Sequence, residues 1–267
     1  MKFKVLCSDL DGTLLTTKSN VSQFTVSTIS HIKNEMRVIL VSARMPSGMR
    51  YIQQDLGILD QPIICYNGAL VLDGEKELLS IFIPLETVKS IYDICKSLKI
   101  ELGLYVNDQW FVANASERVN KEIKYTKTYP SFIPYSITFR YLEKEKLGAH
   151  KLMLMGTKES ADELMPILHE KFESVLNIYR SNDTLIEVAP KLVSKLSAME
   201  VVLRPDESLT DVIAFGDNYN DIEMLEKVGC GVAVANGRDQ VKAISNYITL
   251  ENTKDGVAHF INEHVVI

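Results

Sequence analysis

Tryptophan occurs once in this 267-residue chain and cysteine four times. Cys7, Cys65, Cys95 and Cys230 lie far apart, with neither a CxxC nor a Cys/His spacing that would frame a metal. Cys7, Cys65 and Cys230 fall in apolar strand-like runs and read as small buried hydrophobes in a reducing compartment. A chain of this length buries well over half its surface, so it needs no disulfide or structural metal to hold a core. Long apolar stretches are also missing: none approaches the roughly 18 residues of a membrane span. The leading segment from Met1 to Cys7 meets an acidic cluster too soon to contain a signal peptide's apolar region, so the expected location is cytoplasmic. Positive charge is the scarcer sign. Lys plus Arg number 29 against 35 for Asp plus Glu, a net charge of −6. That balance gives no broad footprint for a nucleic acid or an anionic membrane. What is present, 46% hydrophobic and 24% charged residues, is a globular composition that excludes disorder and a collagen-like repeat.

At roughly 150 residues per domain the length predicts one large domain or two ordinary ones. Continuous apolar runs at Phe3 to Ser8, Arg37 to Ser42 and Pro62 to Tyr66 predict strands buried on both faces. Between them, helical spacing predicts a helix from Ser22 to Met36, with Ser22 as N-cap, and a second opened by Pro46 and running to Leu56. The alternation returns near the C-terminus, with strands at Asp211 to Phe215, Gly231 to Ala235 and Tyr247 to Leu250. Helices are expected at Asp221 to Lys227 and Asp239 to Ile244. The middle differs: a helix from Glu86 to Leu98, a hairpin turning at Asn107-Asp108, a strand at Lys151 to Met155, a helix to Phe172 and two further strands. The fold class is therefore α/β, a parallel sheet covered on both faces, interrupted by an α+β segment. The expected bounds are 1–83 and 188–267 for the core and 84–187 for the insertion.

The densest chemistry is Asp9-Leu10-Asp11-Gly12-Thr13-Leu14, directly after the first strand. Ligands of open α/β sheets bind beyond the carboxyl ends of the strands, where both carboxylates project. If a cation holds one ionised, it can act as a nucleophile while the other keeps a proton to give away. Alone, the segment is equally a surface acidic turn. Three other segments carry matching chemistry. Ser42-Ala43-Arg44 follows the second strand with a hydroxyl and amides suited to phosphoryl oxygens, although Ser42 by itself is a turn cap. Gly216-Asp217-Asn218-Tyr219-Asn220-Asp221 is an oxygen-rich cluster fit for a hard cation such as Mg²⁺, although Asp217 and Asn220 alone would cap a helix. Lys195 opens a helix, and its role rests on the other three.

The order Asp9/Asp11, Ser42, Lys195, Asp217/Asp221 resembles the four motifs of the haloacid dehalogenase-like superfamily. The segments Val41-Ser42-Ala43-Arg44, Tyr66-Asn67-Gly68-Ala69, Val193-Ser194-Lys195 and Gly216-Asp217-xx-Asn220-Asp221-xx-Met224-Leu225 are similar to its Cof-type sugar-phosphatase branch. The resemblance spans residue 9 to about 225. It implies a Rossmann-like core with a large inserted cap domain that selects substrate. It also implies a mechanism in which Asp9 attacks phosphorus and forms an aspartyl-phosphate. Asp11 would protonate the leaving alcohol and then deprotonate the attacking water. Mg²⁺ would be held by the Asp9 and Asp217 carboxylates and the Asp11 carbonyl. Ser42, Lys195, Asn220 and the amides at Leu10 and Ala43 would hold phosphoryl oxygens. Asp221 and Arg44 would stand behind these, Asp221 supporting the metal's waters or orienting Lys195. An acid at Asp11 favours phosphate esters, since dehalogenases and phosphonatases of the superfamily lack one there and the ion-pumping ATPases carry Thr.

Three departures from the pattern bear on these roles. Ser42 replaces a frequent Thr and keeps the hydroxyl. Leu196 stands where Gly commonly follows the lysine and could crowd the helix start, which leaves Lys191 as a reserve phosphate contact. Asn218 replaces a small residue and alters the rim alone. In the insertion, core packing is favoured for Trp110 over stacking on a sugar, and a solvated helix face for Arg118, Lys121, Lys124 and Lys127, because Glu117 and Glu122 intervene. His150 and Arg180 are weaker candidates. The leading expectation is a Mg²⁺-dependent phosphatase of small phosphorylated metabolites, sugar phosphates first, monomeric or a small homo-oligomer, with no nucleic-acid or membrane partner. The alternatives are a phosphohexomutase-like phosphotransferase, a phosphatase preferring nucleotide or cofactor phosphates, and a non-catalytic metabolite-binding regulator.

Overall fold

A computed structural model describes residues 3–17 and 19–265. The chain forms two compact units, Met1–Leu79 with Ser194–Ile267, and Ser80–Val193. It begins with β1 (Val5–Asp9), α1 (Gln23–Ile32), β2 (Arg37–Val41), α2 (Ser47–Leu56) and β3 (Ile63–Cys65), followed by β4 (Leu70–Asp73) and β5 (Lys76–Ser80). Ser22 caps α1 as expected, its Oγ accepting from the Thr25 amide at 2.9 Å. After the second unit come α7 (Lys195–Val202), β12 (Val212–Gly216), α8 (Ile222–Lys227), β13 (Cys230–Val234), α9 (Asp239–Ile244), β14 (Tyr247–Thr249) and α10 (Gly256–His264).

The first sheet runs β14-β13-β12-β1-β2-β3-β4-β5. From β14 to β3 every pairing is parallel, with β1 central. Val5, Cys7, Ile39, Val41, Val212 and Ala214 form one buried layer with Leu196, Met199 and Met224 of the covering helices. On the opposite face Phe215 meets Phe260 of α10, ring centroids 5.7 Å apart. The expected strands are thus present, but the sheet is not wholly parallel. β3 and β4 pair antiparallel, because Tyr66–Gly68 reverses the chain in one tight turn where a parallel return would need a crossover. All four cysteines are buried, and burial pushes the Cys7 and Cys95 thiols up to about 12.

The second unit contains α3 (Leu85–Ser97), β6 (Glu101–Val106), β7 (Gln109–Val112), α4 (Glu117–Thr126), β8 (Ser131–Phe132), α5 (Tyr135–Glu145), β9 (Lys151–Met155), α6 (Lys158–Phe172), β10 (Leu176–Asn182) and β11 (Leu185–Pro190). Its sheet runs β10-β11-β9-β6-β7-β8. Leu102, Leu104, Val106, Leu152 and Leu154 face α3, α5 and α6 through Ile91, Leu142, Leu164 and Leu168. On the other face Trp110 is 1% exposed and stacks on Tyr105, centroids 5.3 Å apart, so it is a packing residue. Along α4 Lys121 pairs with Glu117 in the open, as a solvated face requires, whereas Arg118 and its partner Glu122 are part-buried. Residues 80–83 belong to this unit because Ser80 Oγ lies 3.0 Å from His150 Nε2 and Ile83 pairs with Ala149. Residues 188–190 belong to it because β11 continues beside β10 as far as Pro190.

Candidate active site

Four strand ends of the first unit supply the site. Asp9 is the last residue of β1, Ser42 follows β2, Tyr66-Asn67-Gly68 follow β3, and Asp217 follows β12. The register pairs Asp9 with Val41 and Ser8 with Phe215, so the segments after β1, β2 and β12 leave the sheet at one level. The chain order runs outward from β1 in both directions, so the gap between β1 and β12 is a topological switch point, where open sheets bind ligands. Gly12 turns the chain with φ +90°, and a Cβ there would sit 2.7 Å from Asp217 Oδ2. Gly68 has φ +107°, and a side chain there would collide with the Ser194 carbonyl, so glycine permits the turn after β3 to approach the start of α7.

Lys195 is at the centre. It is 1% exposed, and its Nζ donates to Asp9 Oδ1 and to Asp221 Oδ1, each at 2.6 Å. Ser194 sets its place by capping α7 in a reciprocal arrangement with Ser197. Leu196 does not crowd this start. It turns into the core layer, and Lys191 lies exposed in the second unit. Asp221 is fully buried and engaged at both oxygens, its Oδ2 accepting from the amides of Asp217 and Asn218 at 3.0 Å. Asn218 caps the next turn, its Oδ1 accepting from the Tyr219 amide.

The remaining residues are held from behind. Arg44 donates to both oxygens of Asp11, Nε to Oδ2 and Nη2 to Oδ1, at 2.7 Å each. Thr13 Oγ1 donates to Asp217 Oδ1 at 3.0 Å. Ser42 Oγ accepts from the Arg44 amide at 3.3 Å, and the Ser42 carbonyl accepts from the Asn67 amide. Asn220 Nδ2 donates to Asn67 Oδ1 at 3.0 Å. Tyr66 and Asn67 are both left-handed, at φ +52° and +56°, a strained pair that sets this amide against Asn220. Sequence reasoning gave no role to Thr13 or Asn67. The available signal was position: Asn67 follows its strand end as Ser42 follows β2. Leu10 directly follows β1, and Ala43 stands two residues past the end of β2.

Electrostatics follow from burial. Burial pushes the Asp9 carboxyl well above its usual range, opposed by Lys195 and reinforced by Asp221 and Asp217. Burial and then Asp221 push Asp217 up to about 6. Burial works against the Lys195 ammonium, but Asp221 and Asp9 outweigh it and hold its pKa above the ordinary value. Carboxylate oxygens of Asp9, Asp217 and Asp221 lie within 4.8 Å of one another. Three acids around one ammonium leave an excess of negative charge, and hard oxygen donors suit a hard divalent cation. Both Asp221 oxygens already accept hydrogen bonds, whereas Asp9 and Asp217 each keep one oxygen not engaged by Lys195 or Thr13 and are the better placed to ligate.

Among the described residues no helix is long and apolar enough to cross a membrane. The family described as haloacid dehalogenase-like hydrolase matches residues 6–261. The chain is 29% identical over 276 residues to the 5-amino-6-(5-phospho-D-ribitylamino)uracil phosphatase of Bacillus subtilis, covering 97% of each. It is 28% identical over 275 residues to the pyridoxal phosphate phosphatase of Escherichia coli, covering 100% of each. A crystal structure of a haloacid dehalogenase-like hydrolase from Bacteroides thetaiotaomicron superposes with a TM-score of 0.88 at 26% identity, covering 98% of this chain and 99% of that one. With its strand-end carboxylates, its buried lysine and a match along nearly its whole length, the chain belongs to the haloacid dehalogenase-like hydrolase family, in the Cof-type phosphatase branch.

Proposed function

We propose that the enzyme is a Mg²⁺-dependent phosphatase of small cytoplasmic metabolites, sugar phosphates first, acting through an aspartyl-phosphate on Asp9. The observation that carries this reading is the Lys195 ammonium fixed between Asp9 and Asp221, with a second carboxylate, Asp11, two residues beyond the first. Lys195 lowers the cost of bringing anionic Asp9 up to an anionic phosphate. An Asp9 oxygen attacks phosphorus, the bond to the ester oxygen breaks, and Asp11 gives that oxygen its proton. Water then attacks phosphorus, the bond from phosphorus to the Asp9 oxygen breaks to release the Asp9 carboxylate, and Asp11 takes the proton from the water. Ser42, Asn220 and the Leu10 and Ala43 amides hold the phosphoryl oxygens while charge moves between them. Asp9 and Asp217, with the Asp11 carbonyl, would hold Mg²⁺, which supplies charge neutralisation and orientation of the phosphate.

The second unit, Ser80–Val193, is proposed as the cap that selects substrate. The two relatives described above act on a ribitylamino-uracil phosphate and on pyridoxal phosphate. The shared chemistry is therefore phosphate removal, and the organic half of the substrate varies. The test is phosphate release from a panel of sugar, nucleotide and cofactor phosphates, with Mg²⁺ and with EDTA, alongside Asp9→Asn. Mg²⁺-dependent release lost in the variant is expected. Near-normal release by Asp9→Asn overturns the nucleophile, and phosphate retained on a rearranged product indicates a mutase instead.

A further inference from the structure

Arg44 is buried and anchored at several points. Its side chain is 3% exposed while that of its partner Asp11 is 43% exposed. Nη1 donates to the Gly48 carbonyl at 3.2 Å and to Tyr51 Oη at 3.0 Å, both on α2. Tyr51 Oη donates in turn to the Ser19 carbonyl. The Arg44 carbonyl accepts from the Tyr66 amide, and its own amide donates to Ser42 Oγ. A guanidinium so tethered has little freedom, and its remaining fork is spent on the two oxygens of a half-exposed carboxylate. A pair serving only the core would bury both partners, since one buried charge against a solvated one gains little for its desolvation. Here the fixed partner is buried and the held partner faces outward.

We propose that Arg44 is the positioning residue for proton transfer in this enzyme: its two-point grip sets where the Asp11 carboxyl sits relative to the ester oxygen. The assignment rests on the phosphatase reading above. It also makes the segment after β2 serve two tasks, Ser42 for the phosphoryl group and Arg44 for the acid. A lysine cannot reproduce the planar fork, so Arg44→Lys leaves Asp11 with one contact at most.

The experiment compares two esters on the same preparations. A hexose 6-phosphate expels an alkoxide and needs the proton, whereas p-nitrophenyl phosphate expels a stabilised aryloxide and does not. Removing general-acid help costs about 10²–10⁴-fold. Arg44→Gln and Arg44→Lys should therefore lower kcat/KM for the hexose phosphate at least about a hundredfold more than for the aryl ester, the same pattern expected of Asp11→Asn. The double variant should be no worse than Asp11→Asn, because both changes remove the same step. The ratio between esters is independent of the folded fraction, so a destabilised variant still reports. Equal losses on both esters, or losses that multiply in the double variant, overturn the assignment and leave the phosphatase reading intact. Wild-type enzyme that releases phosphate from neither ester overturns both.

Discussion

Asp221 offers a sharp test because both of its oxygens face donors. Replacing it with Asn changes one oxygen for an amide and removes the charge, with almost no change in shape. Oδ2 accepts two backbone amides and Oδ1 accepts the Lys195 ammonium, so each end of the carboxylate faces donors only. The new NH₂ group must therefore point either at an ammonium 2.6 Å away or at two amides 3.0 Å away. Neither orientation can be satisfied. Removing one partner of a buried ion pair costs about 3–5 kcal/mol. In domains of 150–250 residues about 2–4 °C accompany each kcal/mol, so the melting temperature should fall by roughly 6–20 °C. Calorimetry or a dye-monitored melt, without added metal, reads this directly. Asp221→Ala provides the comparison, since it leaves the same donors unpaired. A fall of less than about 2 °C for both variants would refute the argument, because it would mean these donors find water or another acceptor at no cost.

Two further outcomes follow from the same geometry. Mg²⁺ should stabilise the fold by relieving the repulsion between Asp9 and Asp217, by about 2.7 kcal/mol at a hundredfold excess over its dissociation constant, and so raise the melting temperature, with EDTA reversing the gain and Asp217→Asn abolishing it. A melt unaffected by Mg²⁺ in the wild-type protein would remove the proposed cation. His150 supplies a pH signature in the second unit: burial lowers its pKa to about 3 from 6.5, so it stays neutral when folded while the unfolded chain takes up a proton below 6.5. Stability is therefore lost as pH falls, by about 1.4 kcal/mol per unit or about 2 kcal/mol at pH 5, and His150→Phe should flatten that part of the urea-unfolding profile. An unchanged acid slope in the variant would assign the sensitivity elsewhere.

The strands that carry the chemistry are legible in sequence because they are buried on both faces and hence continuously apolar. Val38-Ile39-Leu40-Val41 can hardly be read otherwise. Lys195 was legible only through motif order, since nothing local announces a buried lysine. Where the sequence misled or stayed silent, the missing information is tertiary. Tyr135-Ser136-Ile137-Thr138-Phe139 is rich in β-branched and aromatic residues, yet it forms the start of α5 because Thr138 and Leu142 find the core of the second unit. β5 is short and half-exposed, with no alternation to detect. The grip of Arg44 on Asp11 joins residues 33 apart and follows from pairing Asp9 with Val41, a register that no local pattern reveals.

That register has a consequence for how the site endures change. The carboxylates of Asp9 and Asp217 come within 4.8 Å because β1 and β12 are neighbours, joined by a main-chain ladder that almost any residue can sustain. Measurement is thus delegated to the backbone, and only the few side chains at the strand ends need keep their identity. Such a sheet behaves as a ruler whose graduations survive repainting. A chain can drift through most of its positions while the distance between its two acids stays constant. If the second unit selects substrate as proposed, exchanging it would change what is bound and leave the phosphate end as it is.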